Sequence, residues 1–229
     1  MMTIEYAVFE RVTTVNKKNL SKHVLECTFR YDGELILSPG QYILFQIEGE
    51  WKPFTAVVNS NSNTIKIIIK LIEGTVTNNF FKSLKIGDIH QVQVPKVNVA
   101  DPISRNTVFI ATGTGITPLI EIAKHALDGG GKNKIRIIFG VREESDLFYI
   151  NEARELEERY DNCRVIFALS RPHETWGGFR GRVDDYINMY FDEMRDADFY
   201  VCGREEIVNS SLILLKQLGV PRNRRHKIQ

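Results

Sequence analysis

The chain has 229 residues, 43% apolar and 26% charged, and its 30 Lys and Arg against 29 Asp and Glu leave a net charge of +1. That length suffices for one large domain or two small ones, each with its own core, and so balanced a charge gives no electrostatic footing for nucleic acid or an anionic membrane. No apolar run approaches the ~20 residues that span a bilayer, and the alternating, charged N-terminus reads as a strand rather than a signal peptide, so a soluble, cytoplasmic protein is expected.

In chain order, runs of β-type residues at 4–15, 23–31, 42–48, 54–59, 65–72 and 89–94 are separated by turn clusters such as YDG, SPG and NSNSN. With one helical insert at 76–84, these strands predict a six-stranded antiparallel Greek-key barrel over residues 1–102. The pattern changes at VNVADPISRN. Over residues 103–229, strands at 107–111, 134–140, 163–169 and 198–202 alternate with helices at 116–127, 150–160, 183–191 and 205–218. That alternation predicts an α/β domain with a parallel sheet and crossover helices. Cys27, Cys163 and Cys202 form no cluster motif, and an iron–sulfur centre takes about four ligands. Five histidines show no paired spacing, so no metal site is expected.

The stretch FIATGTGITPLIEIAKHA reads as strand, tight turn and helix. Gly113 and Gly115 form the turn, and Pro118 suits the first helical position with Thr117 as its cap. A helix start reached through glycines aims amides and a positive dipole end at one point, where an anion is favoured. It is not a P-loop, because no Lys-Ser/Thr pair follows the glycines, and Pro118 stands where the third glycine of G-x-G-x-x-G belongs. In open parallel sheets ligands bind at the carboxyl ends of the strands. That edge would also receive FGVREESDLFY, LSRPHETWGGFRGRV and VCGREE, so glycines, arginines and a cysteine share one crevice.

The order of segments resembles the ferredoxin-NADP reductase superfamily over nearly the whole length. PGQYILFQI is similar to its P-G-Q-aromatic strand, KPFTAVVNS to its R-x-Y/F-S/T flavin motif, and EGTVTNNFFKSLKIGD to its G-x-x-S/T-x-x-L helix and K-x-G-D turn. ATGTGITP is similar to its nicotinamide-dinucleotide turn, GVREESDLFYINEARELEE to its G-x-R-x-x-x-D-L-x-Y stretch, and YVCG to its penultimate strand and cysteine. On residue type alone Phe54 reads as core, Cys202 as a small buried hydrophobe, Arg142, Arg171, Arg180 and Arg182 as solvated, and His125 and His173 as surface residues.

The resemblance implies FAD or FMN on the barrel and NAD(P)H in the α/β crevice. Phe54 would pack on the flavin ring, and Thr55 would hydrogen-bond near its hydride-accepting atom. Lys52, Pro53, Ile69, Lys70, Gly74, Val76 and Thr77 would complete the flavin site, with Thr77 and the helix start taking the phosphates. Thr112, Gly113, Thr114, Gly115, Pro118, Arg142 and Gly203 would hold the nicotinamide nucleotide, and Cys202 would support its ring. Ser170, Arg171 and Arg180 on one loop imply a 2′-phosphate site and a preference for NADPH. The cofactors carry the chemistry and the protein positions them. The acceptor would be free flavin, ferredoxin, flavodoxin or an oxygenase component. Three departures from the pattern stand out: Lys52 replaces the flavin-motif arginine, CGREEI replaces C-G-P-x-x-M, and the C-terminus RRHKIQ lacks the Glu-x-aromatic tail, which implies a shortened chain or an open flavin face. Two other readings remain: a redox-inert dinucleotide sensor that has lost flavin, and an electron-transfer subunit whose cluster lies on another chain.

Overall fold

The computed structural model describes residues 8–33, 35–95 and 102–228. The chain divides into two compact units, Met1–Val99 and Ala100–Gln229. Residues 97–101 of the expected boundary segment and 4–7 of the first expected strand lie outside the described residues.

The first unit is a closed barrel in the order β1-β2-β5-β4-β3-β6, from β1 (Val8–Ser21), β2 (Val24–Tyr31), β3 (Tyr42–Ile47), β4 (Glu50–Asn59), β5 (Thr64–Lys70) and β6 (Ile89–Val94). Period-two alternation fixes which residues face inward. Leu25, Cys27, Phe29 and Tyr31 of β2, Ile43, Phe45 and Ile47 of β3, and Ile65, Ile67 and Ile69 of β5 form one buried core. Each fully buried Ile or Phe stabilises the fold by about 1.5–3 kcal/mol. Helix α1 (Val76–Ser83) adds Phe81 to that core. Gln41 of the SPGQ turn is buried, and its Nε2 donates to Pro95 O at 2.6 Å while its Oε1 accepts from Ser38 N at 2.8 Å. This glutamine therefore ties the entry of β3 to the exit of β6.

The second unit is a parallel sheet in the order β10-β9-β8-β7-β11-β12. Its strands are β7 (Thr107–Thr112), β8 (Ile135–Val141), β9 (Cys163–Leu169), β10 (Phe179–Arg180), β11 (Asp198–Cys202) and β12 (Arg225–Lys227), and its helices are α2 (Ile116–Asp128), α3 (Ile150–Arg159), α4 (Val183–Tyr190) and α5 (Glu205–Gln217). Val108, Ile110, Ile138, Phe199 and Val201 pack with Val183 and Ile187 of α4 and Val208 and Leu215 of α5. The alternate residues Phe109, Ala111, Ile137 and Phe139 are buried as well, with α2 and α3 packed on the sheet. Burial on both faces explains why these strands are continuous apolar runs. Among the described residues no helix is long and apolar enough to cross a membrane.

Candidate functional site

On the barrel, the expected ligand residues gather at a seam beside α1. The first part of β4 pairs with β3, from Glu50 opposite Ile47 to Thr55 opposite Tyr42. The second part pairs with β5, and that ladder ends at Ala56 opposite Ile67. Phe54 and Thr55 on one side, and Ile68 and Ile69 on the other, lie beyond the last pair. Pro53, which has no N–H to give, suits a strand stretch paired on one side only. Phe54 is half-buried, with its ring edge-on to Phe81 of α1 at 4.9 Å and to Phe45 at 6.0 Å. It is thus both a flank of the core and a surface beside α1. Ile69 is 2% exposed and points into the barrel, so only its backbone can meet a ligand, whereas Lys70 is exposed. Lys52 is half-buried, and its Nζ lies 3.3 Å from Glu50 Oε2.

Helix α1 starts just beyond this seam. Gly74 turns the chain at φ +78° with open space around it, and Thr75 caps the helix, its Oγ1 accepting from Asn78 N at 3.2 Å. Val76 and Thr77 are the first two helical residues, and their amides have no backbone partner among the described residues. Such amides at the positive end of a helix make an anion cradle.

On the sheet, the register brings the other expected residues to one edge. Thr112 ends β7, Arg142 follows β8, Ser170 and Arg171 follow β9, and Cys202 and Gly203 close β11. Ser170 N donates to Val141 O at 3.2 Å and Arg171 N to Arg142 O at 2.8 Å, leaving the side chains of Arg142 and Arg171 exposed. Arg180 on β10 is otherwise engaged: its Nη2 donates to the carbonyls of His173, Glu174 and Trp176 at 3.0, 2.5 and 3.0 Å. This arginine holds its own loop closed.

The two glycines of the turn have different reasons. Gly113 sits at φ +55°, and a Cβ there would meet nothing within 4 Å. A Cβ on Gly115 would lie 2.5 Å from Cys202 O and 2.6 Å from Gly203 N, so this position is bare because β11 passes against it. A Cβ on Gly203 would fall 2.1 Å from Thr112 Oγ1, so the same close approach is needed from the other side. The helix starts where its period placed it, but the expected cap differs. Helix α2 begins at Ile116 with Gly115 at its cap, so Pro118 is its third residue and Thr117 does not cap it. Instead Thr117 is 1% exposed and its Oγ1 has no hydrogen-bond partner among the described residues. Burial pushes the Cys202 thiol up to about 11, against the weaker lowering effect of the Gly203 backbone, so it is a neutral thiol at physiological pH.

Sequence reasoning passed over Asn78. Like Thr117, it lies in the first turn of a helix and keeps a buried oxygen, Oδ1, with no partner among the described residues. Unpaired buried polar atoms are costly, and both helix starts therefore suit ligands that bring hydrogen-bonding groups. A Thr-x-x-Asn spacing after Gly74 is the signal that could have found it.

A family model described as "Oxidoreductase FAD-binding domain" matches residues 11–100, and one described as "Oxidoreductase NAD-binding domain" matches residues 109–211. The chain is 29% identical over 223 residues to Ferredoxin--NADP reductase B of Sorangium cellulosum (strain So ce56), covering 90% of this chain and 91% of that one. It is 26% identical over 208 residues to the phenol 2-monooxygenase reductase component DmpP of Pseudomonas sp. (strain CF600), covering 87% of this chain and 59% of that protein. Other relatives are also longer, the chain spanning 53% to 61% of them. The crystal structure of the Amycolatopsis cytochrome P450 reductase GcoB has the same fold, with a TM-score of 0.89 at 19% identity over all of this chain and 71% of that one. With an FAD-binding barrel followed by an NAD-binding α/β unit, the chain belongs to the ferredoxin-NADP reductase superfamily.

Proposed function

We propose that this protein is a flavin-dependent oxidoreductase that takes hydride from NAD(P)H onto FAD and passes electrons to a separate redox protein or oxygenase component. The observation that carries this reading is the succession, in one chain, of a barrel matched as FAD-binding and a parallel sheet matched as NAD-binding. We place the division between them at residues 102 and 103. When bound, FAD supplies the hydride acceptor and NAD(P)H the donor; the chain's own residues bind and orient them.

In this reading the amides of Val76 and Thr77, with the Thr77 hydroxyl, take the flavin phosphates, and Lys52 adds a charge that Glu50 partly offsets. Phe54 offers the free part of its ring. Thr55 offers a hydroxyl at the β4/β5 seam, and Ile69 offers backbone there. Gly74 gives the flavin room to approach. On the sheet, Gly113, Thr114 and the start of α2 at Thr117 and Pro118 take the dinucleotide phosphates, while Thr112 and Gly203 keep the turn close to β11. Arg142, Ser170 and Arg171 are free to take a 2′-phosphate, which favours NADPH. Arg180 supports their loop instead. Cys202 acts as a neutral thiol beside the nicotinamide. A relative named as a ferredoxin–NADP reductase and another named as an oxygenase reductase component support ferredoxin or an oxygenase component as acceptor.

The test is reconstitution with FAD or FMN, followed by NADPH and NADH oxidation with ferredoxin, flavodoxin, free flavin and an oxygenase component as acceptors. Flavin absorbance bleached by NAD(P)H and restored by an acceptor is expected. A chain that binds dinucleotide but no flavin would return the function to a redox-inert sensor.

A further inference from the structure

Helix α1 is held at both ends, and the sequence marks only one of them. At its C-terminal end the carbonyls of the last turn have no intrahelical partner. Ser83 Oγ donates to Phe80 O at 2.9 Å, and Lys17 Nζ, reaching over from β1, donates to Lys82 O at 2.8 Å and to Leu84 O at 2.9 Å.

A β-bulge puts Lys17 there. Val12 and Thr14 are buried inward-facing residues of β1, so strict alternation would turn Asn16 inward and Lys17 out. Between Thr14 and Asn16 the register against β2 slips, with Thr14 opposite Phe29 but Asn16 opposite Thr28. The extra residue, Val15, reverses the alternation and sets Lys17 opposite the inward-facing Cys27. Asn16 becomes exposed and Lys17 half-buried. A bulge that re-aims one side chain is a device, and here the side chain is a cation placed at the negative end of a helix dipole.

We infer that Lys17 is a positioning residue for the flavin phosphate site: through α1 it fixes where the Val76 and Thr77 amides stand relative to the barrel. The inference rests on the reading that those amides receive the flavin phosphates. The aromatic contacts of the helix support it geometrically. Phe80 and Phe81 meet Phe45, Phe54 and His90 edge-on at 4.9 to 6.3 Å, contacts that hold the C-terminal half of α1 on the barrel. The ammonium of Lys17, bonded to two carbonyls at that same end, adds a directional polar tether to this apolar packing.

The experiment compares FAD with riboflavin, which has the same ring system and no phosphate, by fluorescence titration of the full chain stripped of flavin. For the wild type, FAD should bind much more tightly than riboflavin. In Lys17→Met the FAD dissociation constant should rise about tenfold as the amides of Val76 and Thr77 lose their fixed placement, while riboflavin affinity stays within about twofold. Lys17→Arg should restore most of the FAD affinity. Thermal melts establish that each variant is folded at the titration temperature, and Lys17→Gln replaces Lys17→Met should the latter not fold. Equal weakening of FAD and riboflavin would show general damage to the barrel and overturn the inference, as would unchanged FAD binding. Wild-type protein that binds riboflavin as tightly as FAD overturns the phosphate reading itself, and this inference with it.

Discussion

Gly115→Ala is the sharpest test of the packing argument. The added methyl would lie 2.5 Å from Cys202 O and 2.6 Å from Cys202 C and Gly203 N, where ordinary contact starts at 3.4 Å. All three atoms are backbone, and Cys202 is the last residue of β11 paired with β7, so no side chain can swing away. The turn and the strand end must separate by up to about 0.9 Å, which puts the change at the upper end of overpacking costs, about 3 kcal/mol. For a unit of this size that corresponds to a melting temperature lower by about 9 °C. Gly113→Ala makes the contrast. It meets nothing within 4 Å but must hold φ +55°, costing about 1–2 kcal/mol, and under the proposed function its methyl would enter the space the dinucleotide takes. Thermal unfolding by circular dichroism and titration with NADP⁺ separate the two. Gly115→Ala should lose more stability, and Gly113→Ala more affinity for each degree lost. A Gly115→Ala protein that melts within about 2 °C of wild type would refute the reasoning.

Lys52→Arg should tighten FAD about tenfold in a fluorescence titration, because a planar fork grips phosphate in two places and a lysine in one; an unchanged dissociation constant would show lysine to be a full substitute. Arg171→Ala should lower the ratio of NADPH to NADH efficiency about tenfold, and an unchanged ratio removes the 2′-phosphate assignment. Burial holds the His90 imidazole below its ordinary 6.5, with Asp88 opposing. The unfolded chain therefore takes the proton first as pH falls, and stability is full above about pH 6.5 and declines below it until the folded value is passed. The wild-type melting temperature should drop between about pH 7 and about pH 5, and His90→Phe should drop less; parallel curves would exclude His90 as the cause. Cys202→Ala should lower kcat with little change in KM. Because the thiol titrates only near 11, no break in the wild-type kcat profile between about pH 6 and 9 should vanish in the variant.

The strands and helices were legible wherever a local period set them. Alternation marked the inward residues of β2, β3 and β5, and continuous apolar runs marked the doubly covered strands β7 to β9 and β11. Strands β10 and β12 were not legible. Phe179–Arg180 and Arg225–Lys227 are two and three residues long, too short to carry a period, and each exists because a neighbouring strand offers its edge. The start of α2 at 116 was legible, but its cap was misplaced, because Pro118 is tolerated anywhere in the first turn, where its missing N–H leaves no bond unmade.

The sequence offered the candidate site residues as a set and left the geometry of each open, because the letters of a motif name the residue types and not the direction each side chain takes. Two glycines in one G-T-G turn look alike in sequence, yet one is bare because its backbone is left-handed and the other because a neighbouring strand crosses it. Arg171 and Arg180 share one loop. The exposed Arg171 side chain is available to a phosphate, while the Arg180 guanidinium is engaged by three carbonyls. Lys17 is the extreme case. No count along β1 places it inward, since the residue that reverses the alternation is defined only against the partner strand. Residues whose role depends on a single strand's period can be read from sequence; those whose role depends on register between strands cannot, and in this barrel the grip of Lys17 on α1 is of the second kind.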